Sequence, residues 1–535
     1  MTRPTFVLTD HDVGLPGWSE EDVVHQIRAL PIPATVYTLA KLAQWRAAEP
    51  VRPIVDELQT LSAFMTQRTF ERARAVLARG EHQVVFRYAS ILAAIRLLIA
   101  KGTPAMDLDP ADADVEHLGD VLLAINRLVG GMPERPLLVL PDTAQRMWLG
   151  EMAVMAREHG GVPMLGWLVG ASIFRRVAST VEHSVLDSLL RRARRPGLAA
   201  MFSGLAIWLG HSATGELKPH LYKLGELDRE NRGAAWLARR LACRRKDGPA
   251  LVPGWCSSPA ASRLRDMPFF VHRGTAVCAD PLALGDVAAL RFGGFVGRVS
   301  ADVAKDRAEE RALKRWTVHW TKTGLEGFVR DELLSLADAG DQPVSDQGQQ
   351  CDVVARFGRA VLFVEVKLTY PSPSTLRLRD RELVHVDLLK RFARPGVDGL
   401  PQVLATMNRA ATMPSSLPRS APTASDTWWA IVVTAEPIPC SREWRVEWRR
   451  AAEQLPRPGV QPFHGPVFLT VADLCWFIDL ARSGWSVGVA LDAFMNSAAM
   501  SMSNFASTAL KRGMPAWLAG QVEDHIRWLG EQAGD

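Results

Sequence analysis

Two carboxylates and one lysine stand out in the stretch from Cys351 to Lys367, which reads CDVVARFGRAVLFVEVK. Asp352 begins one apolar segment, and Glu365 and Lys367 lie two residues apart near the end of the next. Two carboxylates and an amine on one patch of protein suit a divalent metal ion and a nucleophilic water. Such a group would be equipped to hydrolyse phosphodiester bonds.

The apolar segments around these residues predict a β-hairpin, because both are rich in β-branched side chains. Gly358 and Arg359 would form a two-residue turn, with Gly358 at the position that needs a positive φ. In that register Asp352 faces Glu365, and directly opposed Cβ atoms lie about 4.5–5.5 Å apart. Lys367 points to the same face as Glu365 because side chains alternate along a strand. The pattern therefore predicts that the three groups meet.

The segment resembles the catalytic core of the PD-(D/E)XK, or restriction-endonuclease-like, superfamily. In that pattern an Asp is followed, on a second strand, by the tripeptide (D/E)-x-K. Asp352 matches the Asp, and residues 365–367 match the tripeptide. Cys351 stands where the proline of the family name would be, but that proline ligates nothing. The resemblance covers roughly residues 316–440.

The family commonly adds an acid on the helix before the hairpin, and residues 323–336 are predicted to form that helix. Glu326 borders its apolar arc and is the matching acid, with Glu332 as the substitute. Gln402 matches a glutamine that the family often carries on the helix after the tripeptide. Residues 427–434 predict a buried strand. The expected order is helix, hairpin, helix and strand, in a mixed α/β core.

The resemblance implies a role for each of these residues. Asp352 and Glu365 would hold a metal ion, with Glu326 completing the ligand set. Hard oxygen ligands favour Mg²⁺ or Mn²⁺ over zinc. Lys367 would position or deprotonate the attacking water and stabilise the charge that develops on the phosphate.

Several arginines are candidates for binding nucleic acid. The nearest to the predicted site alternate along the chain at Arg377, Arg379 and Arg381. Further basic clusters lie at residues 191–195 and 239–246. Such clusters can neutralise phosphates, but they are more often solvated helix faces.

A Glu-x-Lys on a strand is also typical of a solvated ion pair, since most charged side chains are exposed. Two features favour a site here. The strand predicted over residues 361–368 is nearly all apolar, and charges in such a setting are costly unless they are paired or bound to metal. The opposition of Asp352 and Glu365 is also one that a purely structural hairpin should avoid.

Composition predicts a multidomain globular protein, because 535 residues exceed one ordinary domain and hydrophobic residues make up 47%. We expect a mainly helical recognition or interaction region at 1–245. Residues 246–315 would form a linker, a small hairpin and a charged helix. The PD-(D/E)XK-like core would occupy 316–480, and a helical segment 481–535. The fold class expected is thus α plus α/β.

The six cysteines include no C-x-x-C pair, so a structural zinc site is not indicated. No apolar run approaches the ~20 residues of a spanning helix, and a cytoplasmic protein without membrane partners is expected. The resemblance implies a Mg²⁺-dependent endonuclease acting on DNA. By analogy alone, fusion to a large helical module suggests antiphage defence or DNA repair with protein partners. The alternative is a non-catalytic scaffold with a nuclease-like core.

Overall fold

The computed structural model of the chain describes residues 6–48, 58–59, 62–79, 82–103, 117–130, 163–212, 221–243, 267–343, 350–367, 381–394, 399–423, 425–434, 438, 440–455, 463–497, 499, 501–510 and 514–534. Most of these residues are helical. The strands form a five-stranded sheet, a four-stranded sheet and a two-stranded pair. A mainly helical protein with an α/β part is what the sequence predicted.

The first part of the chain is helical and has its own core. Its elements are β1 (Phe6–Val7), α1 (Glu20–Ala29), α2 (Ile32–Ala48), α3 (Gln67–Leu77), β2 (His82–Val84), α4 (Tyr88–Lys101) and α5 (Leu118–Gly130). Helix α1 begins after the N-cap Ser19, whose hydroxyl accepts the N–H of Asp22 while the Asp22 carboxylate accepts the N–H of Ser19. The apolar faces of these helices share one core with Phe270 and Val277.

The middle of the chain adds helices and a small mixed sheet. Its elements are α6 (Pro163–Val177), α7 (Val181–Arg192), α8 (Leu198–Ser212), β3 (Tyr222–Lys223), α9 (Leu224–Glu230), α10 (Arg232–Arg240), β4 (Ala242–Cys243), β5 (Phe269–His272) and β6 (Thr275–Cys278). The small hairpin predicted within residues 246–315 is confirmed: Arg273 and Gly274, with φ angles of 45° and 81°, join β5 to β6.

A run of helices then leads toward the large sheet. It comprises α11 (Pro281–Asp286), a π turn (Val287–Arg291), α12 (Phe292–Ser300), α13 (Arg307–His319), a second π turn (Trp320–Glu326) and α14 (Gly327–Leu334). Helix α13 is the predicted charged helix. The sequence did not predict helices at 281–300. The linker predicted at 246–265 lies outside the described residues.

The large sheet has five strands in chain order, β7 (Ala339–Asp341), β8 (Val353–Phe357), β9 (Ala360–Lys367), β10 (Thr427–Thr434) and β11 (Phe463–Thr470). The first three are antiparallel, and β9, β10 and β11 are parallel. Helices α15 (Arg381–Phe392) and α16 (Leu400–Thr412) connect β9 to β10, and α17 (Arg442–Glu453) connects β10 to β11. The parallel strands need these crossovers because their ends lie at opposite edges.

The predicted hairpin register is confirmed. Val353 pairs with Val364 and Phe357 with Ala360. Gly358 has a φ of 58°, as a II′ turn requires at its first central position.

Both faces of the large sheet are buried, which explains the nearly continuous apolar sequence of its strands. Leu362 and Val364 of β9 belong to the core shared with α6, α14 and the C-terminal helices. Val361 and Phe363 belong to a second core with α15, α16 and α17. Alternation therefore turns Glu365 toward the second core.

The C-terminal helices are α18 (Val471–Arg482), α19 (Val487–Asn496), α20 (Met502–Asn504), α21 (Ala516–Ala519) and α22 (Val522–Gly534). They share one core with α6, α7, α8 and the large sheet. The helical region predicted for 1–245 is thus divided between two cores. None of the helices in the described ranges is long and apolar enough to cross a bilayer.

Candidate active site at the β8–β9 hairpin

The hairpin brings Asp352 to the end of β9. Asp352 directly precedes β8, and its Oδ2 accepts a hydrogen bond of 2.7 Å from the backbone N–H of Val366. Val366 is the residue between Glu365 and Lys367. The register predicted from the sequence therefore positions the aspartate beside the Glu-x-Lys tripeptide.

Glu365 and Lys367 form a close ion pair at this end of the sheet. Lys367 Nζ lies 2.5 Å from Glu365 Oε1. The Glu365 side chain is 2% exposed and that of Lys367 16% exposed. A buried carboxylate requires a cation or hydrogen-bond donors close by, and here the lysine two residues along the same strand supplies one.

Glu326 reaches the group from the helical layer. It is the last residue of the π turn (Trp320–Glu326) between α13 and α14. Such turns are often found at functional sites. The turn packs closely on α6, because a Cβ added to Gly324 would lie 2.6 Å from Ile173 Cγ2.

The acids influence each other's ionisation. Burial raises the pKa of Asp352 even though the Val366 N–H, the Lys367 ammonium and contact with the Glu365 side chain lower it. Burial and the Asp352 carboxylate raise the pKa of Glu326. The three predicted acids and Lys367 therefore belong to one electrostatic group.

The same shifts reveal a residue that the sequence analysis missed. The Lys322 ammonium lowers the pKa of both Glu326 and Asp352. Lys322 is exposed and lies in the π turn. A helix-period pattern gave no reason to place it near the hairpin, since the π turn changes the direction of its side chain.

The donor set fits a hard divalent cation. The Asp352 and Glu365 side chains are in contact and offer carboxylate oxygens, the hard ligands that such a cation prefers. In the part of the chain that is described, no three His, Cys, Asp or Glu side chains are grouped closely enough to form a metal centre. The close pair is Asp352 and Glu365, and Glu326 as a third ligand remains a prediction.

Helix α16 holds Asp352 in place through its neighbour. The Cys351 N–H donates to Thr406 Oγ1 at 2.8 Å, and the Cys351 thiol is buried. Burial strongly raises the pKa of that thiol, so Cys351 is a packing residue. Gln402, one turn earlier, accepts the N–H of Gly399 and caps its own helix.

The substitute acid Glu332 has other partners. Its carboxylate lies 3.0 Å from Arg482 and 3.8 Å from Arg176. Glu332 therefore ties α14 to α18 and α6. It provides a natural comparison for Glu326, since burial raises the pKa of both.

Of the three arginines predicted to bind nucleic acid, the structure describes one. Arg377 and Arg379 lie outside the described residues. Arg381 is the first residue of α15 rather than part of an extended segment.

The basic cluster at 191–195 is occupied by ion pairs. Arg191 pairs with Asp187, Arg192 with Glu309 and Arg195 with Asp302, each at 2.7 Å. The last two join α7 and the loop after it to the segment around α13. This cluster therefore serves helix packing, in line with the alternative interpretation of such runs.

Comparison with known proteins gives no relative: no protein-family model, no curated protein and no solved structure matches this chain.

Proposed function

We propose that this protein is a metal-dependent nuclease that hydrolyses phosphodiester bonds in DNA. The observation that carries the proposal is the meeting of Asp352, Glu365 and Lys367 at one end of the β8–β9 hairpin. These are the residues that match the PD-(D/E)XK pattern. The order of helix, antiparallel strands, helix and parallel strand around them also fits that resemblance.

Asp352 and Glu365 are the residues that would hold Mg²⁺ or Mn²⁺, with Glu326 as the third acid. A bound divalent ion would supply Lewis acidity toward a phosphate oxygen and a more acidic water. A cation between Asp352 and Glu365 would offset the cost of burying Glu365 and the repulsion between two adjacent carboxylates.

Lys367 is the residue proposed to act on the attacking water and on the charge of the phosphate. Its ammonium is close to Glu365 and only partly exposed, so it is held by the strand and is weakly screened by solvent. A fixed ammonium stabilises developing negative charge without reorganisation during the reaction.

A non-catalytic scaffold is the second candidate. The observation that favours it is the 2.5 Å contact between Glu365 and Lys367, since a structural ion pair has the same geometry. A role in antiphage defence or DNA repair, with protein partners bound by the helical region, is proposed by analogy only.

Plasmid cleavage separates the two candidates. The full chain is incubated with supercoiled plasmid in Mg²⁺ or in EDTA, alongside Glu365→Gln and the matched variant Glu332→Gln. We expect nicking or linearisation that requires Mg²⁺, is lost in Glu365→Gln and persists in Glu332→Gln. Intact plasmid under all conditions, with Mn²⁺ also tested, would favour the scaffold.

A further inference from the structure

Helix α13 and the π turn after it present a row of exposed cations. Arg307, Arg311, Lys314 and Arg315 are exposed on α13, and Lys322 is exposed in the turn. The four on α13 recur at helical spacing, on the side opposite to the buried residues Leu313 and Trp316, and Lys322 follows them in the π turn. These five cations are called the basic face.

We infer that the basic face binds the phosphodiester backbone of a nucleic acid and leads it to Asp352 and Glu365. This inference rests on the proposed function and names where the substrate of that site would lie. It assigns to α13 the nucleic-acid contact that the sequence predicted for Arg377, Arg379 and Arg381.

Most cations of the basic face form no ion pair with any acid that the structure describes, although Arg311 contributes to lowering the pKa of the N-cap Asp306. Within the described ranges, no carboxylate forms an ion pair with Arg307, Arg311 or Lys314. Arg315 lies 3.7 Å from Glu182 and is 65% exposed. The 191–195 cluster is the opposite case, since Arg191, Arg192 and Arg195 are paired with acids.

The arrangement of these cations disfavours helix α13 on its own. Arg307 and Arg311, and Arg311 and Arg315, are like charges four residues apart, which destabilises a helix. Arg307 is also a cation in the first turn of α13, where the helix dipole disfavours positive charge. A polyanion would relieve both effects. Of the two acids in α13, Glu309 pairs with Arg192, and Glu310 lies four residues before Lys314, so the like charges left uncompensated within the helix are those of Arg307, Arg311 and Arg315.

The row of cations on the basic face runs toward the candidate site. At 1.5 Å per residue the row extends about 22 Å from Arg307 to Lys322. One strand of a duplex carries a phosphate about every 3.4 Å along the axis, so the row matches roughly six nucleotide steps. Its last member, Lys322, lies four residues before Glu326 in the same π turn and is electrostatically coupled to Glu326 and Asp352. The row therefore ends at the acids.

The test is a binding measurement in EDTA, where cleavage cannot occur. Fluorescence anisotropy of a 20-bp DNA duplex, and of the same sequence as duplex RNA, is followed against salt. The variant Arg307→Gln/Arg311→Gln/Lys314→Gln is compared with Arg442→Gln/Arg449→Gln/Arg450→Gln. The control arginines are exposed on α17, and both variants lose three positive charges.

We expect the basic-face variant to bind at least about tenfold more weakly at moderate salt. Its slope of log K against log salt should be smaller by about 2 to 3, because up to three phosphate contacts are lost. The control should bind as the parent does. The affinities of the parent for the DNA duplex and the RNA duplex show which nucleic acid is preferred. Equal affinity for parent and basic-face variant, or equal losses in both variants, would overturn the inference. The basic face would then be interpreted as a binding site for the acidic surface of another protein.

Failure of this inference differs from failure of the proposed function. Loss of binding in the basic-face variant, with no metal-dependent cleavage by the parent, would keep the binding face and remove the nuclease. Cleavage by the parent, with unchanged binding and cleavage by the variant, would keep the nuclease and remove the binding face.

Discussion

The carboxylate of Asp352 accepts the backbone N–H of Val366 at 2.7 Å. This bond attaches the start of β8 to the residue between Glu365 and Lys367. An aspartate that only preceded a strand, with no further role, would lie exposed to water. Here it is held against the buried end of β9, and burial raises its pKa.

Asp352→Asn should raise the melting temperature of the metal-free protein at neutral pH. Asn keeps an oxygen to accept the Val366 N–H but removes a half-buried negative charge. Because the pKa of Asp352 is raised on folding, its ionisation disfavours the folded state. The protonated Asp352 carboxyl stabilises the folded state fully when the pH is below its pKa in the unfolded chain. This stabilisation is lost as the pH rises through the higher pKa of the folded state.

Thermal melts of parent and Asp352→Asn in EDTA from pH 4 to 7 test this. The advantage of the Asn variant should grow with pH and reach a plateau. Added Mg²⁺ should stabilise the parent but not the variant. Equal Mg²⁺ stabilisation of both would mean that Asp352 is not a ligand.

Glu326→Gln should reduce cleavage and raise the Mg²⁺ concentration needed for half-maximal rate. The reason is that Glu326 is coupled to Asp352 and is the proposed third ligand. Glu332→Gln is the matched control, since Glu332 faces Arg482 and Arg176. Metal titrations of cleavage rate compare the two. If both variants require the same Mg²⁺ as the parent, Glu326 is a surface acid of the helix.

Gly358→Ala should destabilise the protein by about 1–2 kcal/mol, because alanine is disfavoured at positive φ. Gly358 has a φ of 58°, and an added Cβ would meet no atom within 4 Å. Backbone strain is thus the sole source of the loss. Urea denaturation measures it. Cleavage per folded molecule should stay unchanged below the transition, and an unchanged midpoint would contradict the assigned turn.

Local patterns in the sequence were sufficient to predict the hairpin. The alternation of apolar residues and the Gly358 turn determine the register, and the register determines that Asp352 meets Glu365. Strand β10 was likewise predicted with its observed ends, because its apolar run is bounded by polar residues.

Contacts between residues far apart in the chain could not be predicted from such local patterns. The pairing of Arg192 with Glu309 depends on how α7 and α13 pack, which no local period encodes. Lys322 was missed because a π turn displaces it from the helical period. Thr406 was missed since its hydroxyl acts on the backbone of Cys351, 55 residues away.

Lys367→Ala gives the most direct test of the proposed chemistry. The variant and the matched Lys390→Ala, which alters an exposed lysine of α15, are compared with the parent for plasmid cleavage in Mg²⁺ and for melting temperature. Lys367→Ala should lose cleavage by at least about a hundredfold, in the range typical of removing one electrostatic catalytic group. It should remain folded at the assay temperature in Mg²⁺, with a lower melting temperature because buried Glu365 loses its ion-pair partner. Lys390→Ala should match the parent in both respects. Full cleavage activity in Lys367→Ala would contradict the assignment of this site.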